Sequence, residues 1–103
     1  MKKLIYVCSK YAGNVEINKK KALEHAQMVY QDGHLPLCVH LFLDEVTGLE
    51  DSKGDDRIKV MQICCDYVKK CDELWVFGEV SEGMKLEVQL AQDYKKPIKR
   101  LRQ

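Results

Sequence analysis

Apolar residues along the chain fall into short continuous runs separated by amphipathic stretches. Leu4-Ile5-Tyr6-Val7-Cys8 and Glu73-Leu74-Trp75-Val76-Phe77 are runs of the kind found in strands buried on both faces. Leu35 to Leu41 reads as another strand, with Pro36 confining its beginning to an edge or entry position. Pro97 to Leu101 makes a plausible last strand. Between them the period changes to that of helices. Val15 to about Asp32 carries Ala22, Ala26, Val29 and Tyr30 on one stripe, with Lys19, Lys20 and Gln27 outside it, and Gly33 supplies the stop. A second helix is predicted from about Asp56 to Lys70 with Ile58, Met61, Cys65 and Val68 inward, and a third from Gly83 to Lys95. Asp44 to Asp56 is polar, glycine-punctuated and acidic, and reads as a long mobile loop.

Strands that alternate with helices imply a parallel sheet. The expected architecture is one α/β domain over residues 1–103, a small doubly wound, Rossmann-like (flavodoxin-type) parallel sheet with strand order 2-1-3-4. In that layout a ligand crevice lies beyond the carboxyl ends of the first and third strands. The loops there are Ser9 to Asn14 and Gly78 to Gly83, both rich in small residues that let a ligand approach backbone. Ser9, Lys10 and Gly13 on the first loop, Ser81 and Gly83 on the second, and His40 near the end of the second strand are therefore the binding candidates. His40 is also open to a structural reading, which is the commoner one for such a residue.

Composition narrows the classes. With 46% hydrophobic and 32% charged residues the chain is of ordinary globular type. Seventeen basic residues against sixteen acidic ones leave +1, so no global field draws it to nucleic acid or anionic membrane. The basic end (Lys95, Lys96, Lys99, Arg100, Arg102) reads as a solvated edge strand, and Lys19 to Lys21 as a solvated helix face. No apolar run approaches the roughly 18–20 residues of a membrane span, and the five apolar-type residues after Met1-Lys2-Lys3 read as a strand rather than a secretory signal. Five cysteines, none in a CxxC pair, and three histidines without zinc spacing point to reduced, mostly buried thiols in a cytoplasmic protein, with no metal and no cofactor expected.

No GxGxxG follows the first strand and no GxxxxGK[ST] occurs. The informative stretch is Ser81-Glu82-Gly83-Met84-Lys85-Leu86-Glu87. Ser81 is placed to cap the third helix, whose positive end suits an anion or sugar hydroxyl. Gly83 and Glu87 are four apart and share a face, so the absent side chain leaves room beside the carboxylate. Met84, Val88 and Ala91 would partly desolvate Glu87, raising its pKa and its reactivity toward an electrophilic carbon. The residues alone leave a plainer reading open, in which Glu87 is a solvated helix position paired with Lys85 or Lys95 and Ser81 a simple cap.

Tyr6 in the first strand, the small-residue loop after it, Cys71 to Gly78, and Ser-x-Gly-x-x-x-Glu at Ser81, Gly83 and Glu87 resemble the nucleoside 2-deoxyribosyltransferase-like superfamily over nearly the whole chain. The resemblance runs closest to a small phage and bacterial branch near the 2'-deoxynucleoside 5'-monophosphate N-glycosidases. It implies a nucleoside or nucleotide ligand and cleavage or exchange of its N-glycosidic bond, or, alternatively, a module that sequesters a nucleotide without turnover. It assigns Glu87 as the nucleophile and Tyr6 as the residue that orients it. Ser81 and Gly83 match phosphate-holding positions, with Ser9 joining them. It also implies a homodimer or larger assembly. Where relatives carry an arginine in the first loop this chain has Ala12, with Lys10 the nearby cation. Asp66 lies near the region where relatives place an acid for the departing base.

Overall fold

The computed structural model describes residues 2–50 and 53–101. In chain order the elements are β1 (Leu4–Cys8), α1 (Val15–Gln31), β2 (Leu35–Leu37), a single 3-10 turn at Val39–Leu41, α2 (Leu43–Thr47), α3 (Gly54–Lys70), β3 (Glu73–Phe77), α4 (Glu82–Asp93) and β4 (Ile98–Leu101). All strand pairs are parallel and the order is β2-β1-β3-β4, as expected from the alternation of elements.

The period-two rule divides β1 and β3 between two cores. Tyr6, Cys8, Leu74 and Val76 face a core built with α3 and α4, where Val60, Cys64, Val68, Met84, Val88 and Ala91 are buried. Ile5, Val7, Trp75 and Phe77 face the opposite way, onto Ala22, Ala26 and Val29 of α1. The register sets Tyr6 beside Leu74 and Cys8 beside Val76, so both ends of the central pair carry through. Trp75 lies on the α1 side, its Nε1 donating to Glu73 at 3.0 Å, and belongs to the core as expected.

The helix stripes differ from expectation in detail. On α1 the buried set is Asn18, Ala22, His25, Ala26 and Val29, whereas Tyr30 is 70% exposed. One residue advances a helix by about 100°, and Val29 already holds the edge of the inward face. On α3 the inward row is Val60, Cys64 and Val68, spaced by four, and Ile58 points outward.

The second strand is shorter than predicted. β2 pairs only along Leu4–Tyr6 of β1 and ends at Leu37. Beyond it Val39, His40 and Leu43 turn inward under the sheet end, because burying them against the α3/α4 side requires the chain to leave the edge. The supposed loop from Asp44 is also more structured. α2 takes up its beginning, with the Thr47 hydroxyl donating to the Leu43 carbonyl at 2.6 Å and Gly48 closing the helix at φ 72°, a conformation glycine adopts without strain. Asp44 holds Lys19 at 2.8 Å, and the Asp56 carboxylate receives the Glu50 amide at 3.0 Å. Asp51 and Ser52 of that stretch, and Arg102 of the basic end, lie outside the described residues.

The two-core arrangement separates substitutions sharply. Ile5 is fully buried, so Ile5→Ala should lower unfolding free energy by about 2–5 kcal/mol in urea titrations. Tyr30→Ser should stay within about 0.5 kcal/mol of the parent. A large loss at Tyr30 would show that its side chain is not solvated.

Candidate active site

β1 delivers two side chains from one face to the same carboxylate. Tyr6 and Cys8, separated by one residue, both reach α4: the Tyr6 hydroxyl donates to Glu87 Oε2 at 3.0 Å and the Cys8 thiol to Oε1 at 3.3 Å. Cys64 of α3 lies within hydrogen-bonding reach of both Tyr6 and Glu87. Glu87 is 5% exposed. It is therefore not the solvated helix position that its spacing allowed, and Lys85 is occupied with Glu82 at 2.8 Å.

Burial dominates the electrostatics. It pushes the Glu87 carboxyl up to about 7, while the hydrogen bonds from Cys8, Tyr6 and Cys64 favour the carboxylate and hold the shift back. The same burial, followed by the neighbouring Glu87 charge, raises Tyr6 and Cys8 well above their ordinary values. Both therefore remain protonated donors at neutral pH. Cys64 and Cys65 are also raised, first by burial and then by Glu87.

Glu87 lies on the wall of a cavity of about 120 Å³ beyond the carboxyl ends of β1 and β3. The cavity also takes in Ser9, Lys10, His40, Ser81 and Gly83. A Cβ added at Gly83 would meet nothing within 4 Å, so the expected space one helical turn before Glu87 is open. Ser81 is the N-cap of α4; its carbonyl receives the Met84 and Lys85 amides at 3.1 Å, and its own amide donates to Met84 Sδ at 3.4 Å. Gly13 sits apart. Its φ of 100° turns the loop toward α1, and it lines an adjoining depression with Asp44 and Glu50 instead.

His40 comes from the 3-10 turn rather than from a strand end, and its ring stacks on Tyr11 with centroids 4.6 Å apart. Burial lowers it to about 4, so it is neutral at pH 7. The Ser9 backbone is in hydrogen-bonding reach of the ring, and Nδ1 has no hydrogen-bond partner among the described residues. Ser9 itself is buried and bonded to His25 Nδ1 at 3.0 Å, an interaction between β1's end and α1 that the linear spacing did not disclose.

Several cavity residues were not anticipated. Arg57 arrives from α3, and Met61 and Cys65, expected on the inward stripe of that helix but not at the site, line the cavity beside it. Arg57 supplies a cation where the first loop has only Ala12 and Lys10, although it comes from a different element. Asp66 is exposed, lies 4.0 Å from Lys69, and faces an outer groove between α3 and α4 rather than the cavity.

Residues 3–101 match the family described as a domain of unknown function (DUF7768). The chain belongs to that family. No curated protein matches the sequence. Among solved structures, a 2-deoxyribosyltransferase from the psychrotolerant bacterium Bacillus psychrosaccharolyticus superposes with a TM-score of 0.71 at 17% identity, over 96% of this chain and 72% of that one. At this identity the likeness is one of fold, and the family member has the deoxyribosyltransferase-like fold that its strand and helix order suggested.

The raised carboxyl gives a stability signature with a definite sign. Glu87 has a folded-state pKa above its ordinary value of 4.5, so it supports folding fully below about 4.5 and that support is lost as pH rises through about 7. Glu87→Gln should match the parent near pH 4 and exceed it by on the order of 3 kcal/mol above pH 8. Chemical denaturation at the two pH values measures this, and an equal difference at both would contradict the buried-carboxyl account.

Proposed function

We propose that the protein binds a nucleoside or nucleotide in this cavity and cleaves or exchanges its N-glycosidic bond through Glu87. The observation that carries the reading is the buried Glu87 carboxylate, held by Tyr6 at 3.0 Å on the wall of a cavity left open at Gly83. The fold likeness to a 2-deoxyribosyltransferase supports it.

The chemistry follows from those groups. A Glu87 oxygen attacks the anomeric carbon as the bond to the base nitrogen breaks, and the electron pair leaves with the base. The product is a glycosyl ester on Glu87. Water or a second base then attacks the same carbon, and the carboxylate departs. Tyr6 and Cys8 fix the carboxylate's orientation while keeping it sufficiently ionised near neutral pH. His40, neutral and stacked on Tyr11, contributes a ring to the cavity wall. Ser81 rather than an acid at the α4 cap, together with Lys10 and Arg57, favours a 5'-phosphate and so the monophosphate N-glycosidase branch. A homodimer or larger assembly is part of the proposal, and light scattering that gives a 12.0 kDa particle at micromolar concentration removes it.

Purified protein incubated with nucleosides and 5'-monophosphates should release free base, detected by chromatography. Glu87→Gln should lower the rate by at least roughly a hundredfold while ligand binding persists. Retained cleavage in that variant would remove Glu87 from the mechanism, and binding without base release by the parent would favour sequestration.

The pH profile gives an independent check. Activity should rise with pH through a midpoint near 7, where Glu87 ionises. Tyr6→Phe removes a donor to the carboxylate and should move that midpoint upward; an unchanged or lowered midpoint would show that Tyr6 does not tune Glu87.

A further inference from the structure

Glu87 presents two chemically unlike oxygens. Oε2 accepts from the Tyr6 hydroxyl at 3.0 Å, and Oε1 accepts from the Cys8 thiol at 3.3 Å. A phenol is a good donor, whereas a thiol is a weak one. Cys64 of α3, in reach of both Tyr6 and Glu87, adds a second thiol. Tyr6 and Cys8 are fully buried and stand outside the cavity lining, to which Glu87 and Cys64 belong. A ligand in the cavity therefore meets the carboxylate and not its β1 partners.

Formation of a glycosyl ester makes the two oxygens diverge further. The oxygen that attacks becomes the bridging ester oxygen and loses most of its capacity to accept a hydrogen bond. The other becomes the ester carbonyl and keeps that capacity. A donor on the attacking oxygen is thus stranded, and a buried hydroxyl so stranded carries the full penalty of an unmade hydrogen bond. A buried thiol there costs little, because it behaves chiefly as a small apolar group. The Tyr6 hydroxyl escapes the penalty only if its oxygen becomes the carbonyl.

We infer that Glu87 Oε1 is the oxygen that attacks the anomeric carbon, and that Cys8 is the positioning residue that orients it and then releases it. The inference rests on the reading of Glu87 as nucleophile above and assigns within it the direction of attack. As the bond from Oε1 to carbon forms, the bond to the base nitrogen breaks, and its electron pair leaves with the base, which takes a proton from water. Cys8 keeps its proton, and Tyr6 stays on Oε2 throughout. The ionisation near 7 belongs to Glu87. Tyr6 and Cys8 of β1, and Cys64 and Cys65 of α3, are all raised, by burial first. His40 is neutral there, lowered by burial to about 4, and Lys10 and Arg57 bring cations to the cavity wall. Arg100 of β4 is felt at Cys8, and Lys85 of α4 pairs with Glu82.

Two measurements test this together: carbon NMR of the Glu87 carboxyl, its signal identified with Glu87→Gln, and base release from the 2'-deoxynucleoside 5'-monophosphates of the four common bases. Cys8→Ala removes a donor that favours the carboxylate, so the NMR midpoint should move above the parent's. Its rate on the alkaline plateau should stay within about threefold of the parent, because the attacking oxygen loses only a weak donor. Cys8→Ser puts a hydroxyl a few tenths of an ångström behind the sulfur position, a gap that a small rotation of Glu87 closes. The midpoint should then fall below the parent's, yet the plateau rate should drop by about tenfold or more. An unmoved midpoint in Cys8→Ala, or a Cys8→Ser plateau equal to the parent's, would overturn the assignment of Oε1 while leaving Glu87 as the nucleophile. A parent that releases no base, or a Glu87→Gln variant that still does, would remove the reading of Glu87 itself and this inference with it.

Discussion

One carboxylate held out of water constrains the rest of the site. Glu87 is buried on α4, and a buried carboxylate is costly unless donors compensate it. The compensation comes from β1, where Tyr6 and Cys8 occupy alternate positions and so share a face. This arrangement requires β1 to lie next to β3 in the observed register and α4 to return over the same face. A slip of β1 by one residue would present Ile5 and Val7 to Glu87 and leave the charge without donors. The central pair of strands is thus tied to the position of one side chain on a helix that follows them.

The same constraint explains the thiols. Cys8, Cys64 and Cys71 are buried in the α3/α4 core, and Cys38 lies on the other side of the sheet. Burial is the leading cause of the upward shift in each, to about 12 for Cys38 and Cys71. They act as small apolar groups with a weak donor, and at Cys8 that donor is directed at Glu87. Reduced, buried cysteines and a partly desolvated carboxylate are therefore one packing arrangement seen from two sides. Among the described residues no group of histidines, cysteines and acids is placed to hold a metal ion, and no helix is long and apolar enough to cross a membrane.

Much of the fold was legible because its signals are local. Continuous apolar runs marked β1 and β3, the helical period marked α1, α3 and α4, and parallel strand order followed from their alternation. The misreadings share a cause. Tyr30, Ile58 and the extension of the second strand to Leu41 were assigned from apolarity, which says that a residue prefers burial and not which neighbour is there to bury it. Val39, His40 and Leu43 leave the sheet edge because the α3/α4 side offers them cover that an edge strand does not.

The site divides along the same line. Gly83 and Glu87 are one helical turn apart, so their common face, and the desolvation of Glu87 by Met84, Val88 and Ala91, could be read from spacing within α4. The junction of Tyr6 and Cys8 with Glu87 spans about eighty positions of chain and depends on strand register and helix return. Arg57 in the cavity, Ser9 bonded to His25, and Asp66 turned outward were decided only when α3 and α1 took their rotations against the sheet. Sequence by itself determined which residues repeat on a common face, because that follows from the fixed periods of helix and strand. Tertiary structure alone decided which faces meet, because that depends on packing between elements distant along the chain.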